Sequence, residues 1–195
     1  MKLEKRKKIL GIAEKLFNRF GIKKTGVDEI AKLANVAKGT IYNYFGDKEG
    51  LIRELIKEKI SSFEDRIEKA FSTVKDPIER LKVTLVMHLK VFLNNPFISD
   101  KMLNANNEEK TELFYGKLEE KSKNIIKKIM NSSYLKKLPK ADKKTIINTI
   151  GFALKGMDET IKNRLEPISI KKFEKDIDFL INAILPKNLI KTNGK

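Results

Sequence analysis

The chain has 195 residues, 41% hydrophobic and 35% charged, so it can bury a core and is not disordered. It holds no Cys and one His, which excludes disulfides, thiol nucleophiles and thiolate zinc sites and leaves little from which to build any metal centre or Ser/His/Asp triad. The net charge of +16 points to a polyanionic partner; residues 1–50 hold 12 Lys+Arg against 6 Asp+Glu, and residues 51–195 hold 30 against 20.

In chain order the elements all read as helices, with no strand-like alternation, so the fold class is all-α. Leu3, Ile9, Ile12, Ala13, Leu16, Phe17 and Phe20 form an apolar stripe at helical spacing, closed by Gly21. Thr25-Gly26-Val27-Asp28 resembles a capping box, with the Thr25 hydroxyl expected to accept from the Asp28 amide. A second helix follows over Val27 to Ala34, burying Ile30, Ala31 and Ala34. Asn35 then suits a left-handed turn. A third helix spans Lys38 to Phe45, and Gly46-Asp47 breaks it. Asp47 caps a fourth, long helix reaching about Val74. Pro77 sits in the first turn of a helix from Asp76 to Asn94, and Pro96 opens another over about 96–105. Glu108 to Met130 is a long charged helix, residues 131–139 read as a loop, and two final helices occupy about 141–165 and 169–185.

The third helix has to bury one face on its predecessors and leave the other free, the layout of a helix-turn-helix. Ile41 and Phe45, four apart, supply the buried face. Lys38, Gly39, Thr40, Tyr42, Asn43 and Tyr44 remain for DNA: Lys38 offers charge, Gly39 close backbone approach, Thr40 and Asn43 hydrogen bonds to base edges, and the tyrosine hydroxyls reach to phosphates. Lys48 adds charge at the start of the fourth helix.

The stretches Thr25-Gly26-Val27-Asp28-Glu29-Ile30-Ala31 and Lys38 to Leu51, with Ile9 to Phe20 as leading helix, resemble the signature of the TetR-like transcriptional regulators over about residues 3–56. The resemblance implies an all-helical homodimer with a DNA-reading domain over residues 1–46 and an effector-binding, dimerising domain over residues 47–195. It also implies DNA contacts by Thr25, Lys38, Thr40, Tyr42, Asn43, Tyr44 and Lys48, on a palindromic duplex operator. Two positions depart from the family pattern: Asn35 stands where Gly is usual, and Ala37 where Ser or Thr usually caps the third helix, a change that costs roughly 1 kcal/mol. Gly50, inside the fourth helix, has no role visible in the sequence, where Gly costs ~1 kcal/mol relative to Ala.

Beyond the fourth helix, Leu81, Leu85, His88 and Phe92 share one stripe. His88 reads either as a core histidine satisfied by a carbonyl or as a ligand contact. Phe63, Met87, Phe92, Phe97, Met102, Phe114 and Tyr115 read either as plain core or, with His88, as the lining of a site for an apolar or amphipathic effector. Ile150, Ala153 and Met157 with Phe173, Ile177, Leu180 and Ile184 read either as closing this chain's own core or, as the resemblance favours, as the dimer seam, two helices from each subunit forming a four-helix bundle. The expectation is a repressor released from DNA by a small ligand. The rivals are a DNA-binding protein without effector and a ligand carrier with a vestigial helix-turn-helix. An enzyme is disfavoured by the absence of a nucleophile elbow and a Gly-rich phosphate loop. No cofactor or metal is expected. No apolar run approaches the ~20 residues that cross a bilayer, and Glu14-Lys15 interrupt the N-terminal apolar run, so the expected location is the cytoplasm with no membrane contact.

Overall fold

The computed structural model describes residues 2–95, 97, 108–163, 169–186 and 189. All regular structure among them is helical: α1 (Lys2–Phe20), α2 (Val27–Ala34), α3 (Lys38–Phe45), α4 (Lys48–Thr73), α5 (Pro77–Leu93), α6 (Glu108–Met130), a 3-10 turn (Ser133–Lys137), α7 (Lys140–Asn163) and α8 (Ile170–Ile184). The helix expected over about 96–105 lies outside the described residues except for Phe97. The chain divides into two units, Met1–Ser62 with Asn95–Glu112, and Phe63–Asn94 with Leu113–Lys195, and α4 contributes to both.

In the first unit α2 packs on α1 and α3 on α2. The buried stripe of α1 is Ile9, Leu10, Ala13, Leu16 and Phe17. Leu3 (64% exposed) and Phe20 (43%), which share the apolar period, lie outside it because they extend beyond the ends of the packed surface. Phe17 meets Phe97 with ring centroids 6.0 Å apart. Two ion pairs tie α1 to the first half of α4: Glu14 with Lys59 at 2.6 Å, and Arg6 with Glu54.

The capping expectation for α2 is corrected. Gly26 is its N-cap, with extended backbone and no side-chain bond. Thr25 stands one residue further out and is wholly buried, so its hydroxyl turns inward and donates to Gly21 O at 2.9 Å and Leu16 O at 3.4 Å. The bond to Gly21 O ties the turn to the end of α1. Asn35 takes the left-handed conformation (φ 54°, ψ 52°) and closes α2 through its backbone N–H.

In the second unit α5 packs against both α7 and α8. Asp76 caps α5 by accepting from Glu79 N at 2.9 Å, with Pro77 at the first helical position. Arg80 reaches back to donate to Val74 O (2.8 Å) and Phe71 O (3.0 Å), closing the end of α4. The core contains a polar network. His88, fully buried on α5, has Nδ1 2.8 Å from Ser122 Oγ on α6 and Nε2 3.1 Å from Asp158 Oδ2 on α7. Its ring leans on Phe92 at 5.5 Å. His88 is therefore a core histidine, held by two side chains rather than by the expected carbonyl.

Removing the imidazole strands a buried carboxylate and a buried hydroxyl and leaves a cavity. We expect His88→Ala to cost about 3–5 kcal/mol. Urea unfolding should show the midpoint falling at unchanged slope. A loss below about 1 kcal/mol would mean that water satisfies Asp158 equally well.

Candidate nucleic-acid interface

The face is built on α3, whose Ile41 and Phe45 are buried as the spacing requires. Phe45 is held from two sides: the Arg6 guanidinium lies 5.4 Å over its ring, and its carbonyl meets the first turn of α4. Asp47 caps α4 by accepting from the amide of Gly50. The role of Gly50 now becomes clear. A Cβ there would sit 1.7 Å from Phe45 O, so only glycine lets the end of α3 lie against the start of α4. Sequence reasoning found no reason for this glycine because the contact is with the neighbouring helix, not within its own.

The outward residues of α3 follow the expected pattern. Lys38, Gly39, Tyr42 and Asn43 are exposed, and Thr40 and Tyr44 are half-buried, with Tyr44 set edge-on to Phe45 at 6.1 Å. A Cβ at Gly39 would meet nothing within 4 Å, so the fold itself does not demand glycine there. Ala37 caps α3 with no side-chain bond, as the sequence implied.

Lysines stand at both ends of this helix, Lys38 as its first residue and Lys48 at the start of α4. Lys38 Nζ lies 2.8 Å from Asp28 of α2, and donation to that carboxylate holds its ammonium above the usual lysine range. Lys48 is half-buried, and desolvation pushes it below that range. The Asp28 partner was missed because the pair joins two helices across the turn. The face also extends further than the motif. A groove of about 750 Å³ is lined by Thr40, Asn43 and Tyr44 of α3 and by Lys2, Leu3 and Arg6 of α1. Thr25, expected to touch DNA, presents no surface; its place is beneath the turn.

The other expected sets separate. Phe63, His88 and Phe92 are buried in the second unit and Met87 is half-buried there, but Phe97 belongs to the core of the first unit against Phe17. Met102 and the side chains of Phe114 and Tyr115 lie outside the described residues. Of the expected dimer seam, Ile150, Phe173 and Ile177 are corrected: they face their own core, at 0%, 7% and 1% exposure. Ala153, Met157, Leu180 and Ile184 are half-buried. The same two helices instead expose Phe152 (76%) and Phe179 (77%).

A short outward-facing helix seated by a turn on its predecessor defines a helix-turn-helix protein. Residues 9–55 match the family model described as bacterial regulatory proteins, tetR family. The chain is 41% identical over 70 residues to an HTH-type transcriptional regulator, YhgD, of Bacillus subtilis, covering 36% of this chain and 37% of that protein. It is 34% identical over 83 residues to the fatty acid metabolism regulator protein of Bacillus subtilis, covering 43% of each. These matches span less than half the length of those relatives. A TetR transcription regulator from Haloarcula marismortui shares the fold over 94% of this chain and 100% of its own, with TM-score 0.75 and 15% identity. A TetR/AcrR-family regulator from Thermobifida fusca does so with TM-score 0.69 and 22% identity, over 94% and 100%. Residues 9–55 are thus similar to the helix-turn-helix domain of the tetR family, and the chain shares its fold with solved regulators of that kind.

Gly50 supplies a test of how α3 is seated. By helix propensity alone Gly50→Ala would stabilise α4 by ~1 kcal/mol. The clash with a backbone carbonyl should reverse that sign, with a net loss of about 1–3 kcal/mol in thermal or chemical unfolding. A stabilised variant would show that α3 and α4 meet differently.

Proposed function

We propose that the protein is a sequence-specific DNA-binding transcriptional repressor acting as a homodimer on a palindromic duplex operator. The observation that carries this reading is α3 itself: Ile41 and Phe45 are spent on the core, Lys38, Gly39, Tyr42 and Asn43 are exposed, and Lys48 follows just beyond its end. Asn43 and Thr40 read base edges. Lys38, Lys48 and the tyrosine hydroxyls hold phosphates, and Gly39 lets the backbone come close. Thr25 positions the turn rather than touching DNA. Binding sites selected from random duplexes should be two-fold symmetric, with half-sites about one helical turn (~34–36 Å) apart or a multiple of it. Asn43→Ala should relax base preference, whereas Lys48→Ala should weaken all sequences alike and reduce the salt slope by about 1 per chain, or about 2 for the dimer. Unchanged discrimination by the Asn43 variant would remove that residue from base reading.

The homodimer forms on the outer face of α7 and α8, where Phe152 and Phe179 stand exposed beside the half-buried Ala153, Met157, Leu180 and Ile184. Large apolar side chains three-quarters exposed on adjacent helices mark an association surface. Phe152→Glu would place an unpaired charge in that seam at a cost of several kcal/mol. Sedimentation should find a wild-type dimer and a variant monomer at micromolar concentration; a monomeric wild type refutes this seam.

Release from the operator follows binding of a small apolar or amphipathic ligand in the second unit. The support is the buried Phe63 and half-buried Met87 of that unit, with Phe92 leaning on the polar network of His88, Ser122 and Asp158. A ligand reaching His88 must replace the bond to Ser122 or Asp158, so an effector needs its own hydrogen-bonding group on an apolar body. Matched compounds with and without that group should differ in operator release. Equal release would remove His88 from the effector site and leave the effector-free reading to be tested on the apolar residues alone.

A further inference from the structure

The basic charge of this chain is concentrated in two places. Residues 1–50 carry a net +6, and residues 121–144 carry nine lysines against Asp142 alone, a net +8 of the total +16. The remaining residues hold 21 basic against 19 acidic side chains and are close to neutral. The second concentration is therefore not a general lysine bias, and α3 does not account for it.

Seven of these lysines, all but Lys121 and Lys123, lie in the last turn of α6, the 3-10 turn or the first five residues of α7. Lys143 Nζ donates to Lys136 O at 2.8 Å and approaches Asn131 Oδ1 at 3.5 Å, pinning the three elements together. Local roles explain some of the charge. Lys121 pairs with Glu64 at 2.8 Å, and Lys127 and Lys128 complement the negative end of α6. Lys136, Lys137, Lys140 and Lys144 have no such role. All four are exposed, and none pairs with an acid among the described residues. Lys140 moreover opens α7, where a helix prefers anions to cations. Such placement is unfavourable for the isolated chain and becomes favourable when an anion covers it.

We propose that this junction is a second, sequence-independent nucleic-acid surface that grips duplex backbone phosphates. Lysines without arginine act as point charges suited to phosphates in any register rather than to one bidentate partner. None of the large exposed hydrophobics of the described residues falls in 121–144, so the patch lacks the apolar anchors of a membrane-surface helix.

The test changes Lys136, Lys137, Lys140 and Lys144 together to Gln, keeping Lys143, in the full-length protein, with a second variant carrying Arg at the same positions. Binding to an unrelated duplex is measured across salt concentrations. The Gln variant should bind it more weakly, with a log–log salt slope shallower by about 3 to 4 per chain for four lost contacts. The Arg variant should match wild type. Far-ultraviolet circular dichroism should be the same for all three. An unchanged slope in the Gln variant overturns the proposal. So does binding of phosphatidylserine vesicles that the Gln changes abolish while duplex binding is untouched. Preference for the selected operator over the unrelated duplex is read separately with Asn43→Ala, so failure at α3 and failure at this junction are distinguishable.

Discussion

An eight-residue helix does not persist alone in water, and α3 starts without a side-chain cap. What it presents to a partner therefore depends on how its inner face is seated. Ile41 and Phe45 provide the apolar contact, Arg6 covers the Phe45 ring, and Glu54 holds Arg6 in place. The Phe45 carbonyl then enters the gap left by the missing side chain of Gly50, in the turn capped by Asp47. The residues that end α3 and those that begin α4 thus form one joint. Its rigidity sets the direction in which Asn43 and Tyr42 point, and preorganisation of that kind is what makes a few polar contacts selective.

The second unit meets a different constraint. Its helices carry long apolar stripes, and such stripes can slide past one another by a turn at small cost. Polar residues at one level of α5, α6 and α7 remove that freedom, because a slip would strand Asp158 away from His88. The network thereby specifies register as well as contributing energy. A serine, a histidine and an aspartate meet there, the His and Ser wholly buried and the Asp nearly so.

Helix positions were legible because the punctuation is local. Gly21, Asn35, Gly46-Asp47 and Pro77 stop or start helices through their own backbone preferences, and α1 to α3 end where those residues stand. The outward residues of α3 were legible for the same reason, since one buried pair on a short helix leaves the rest to face out. What escaped depended on contacts between elements. Ser122 lies on the stripe of Leu118 and Ile126, and Asp158 on that of Leu154 and Ile161, so each polar residue is visible as an interruption. Which stripes meet is not visible. Gly50 makes sense only with Phe45 beside it. On α7 and α8 apolar residues occur on opposite faces, and periodicity alone did not separate the core-facing Ile150 and Phe173 from the outward Phe152 and Phe179.

The ion pair between Lys38 and Asp28 gives the reading face an internal competitor. Before any duplex arrives, one of its ammonium groups already rests against a carboxylate that occupies the place of a phosphate. On the function proposed above, docking would be an exchange of anions at this position, not the capture of a bare cation. Cations condensed on the duplex would still leave if Lys38 took over a phosphate, so the residue would count in full toward salt sensitivity. The favourable energy of the new contact is offset by loss of the old one, and Lys38 adds less to affinity than to ionic-strength dependence. Asp28 would thus weaken the hold on arbitrary backbone and leave a larger share of the binding free energy to the groups that touch bases.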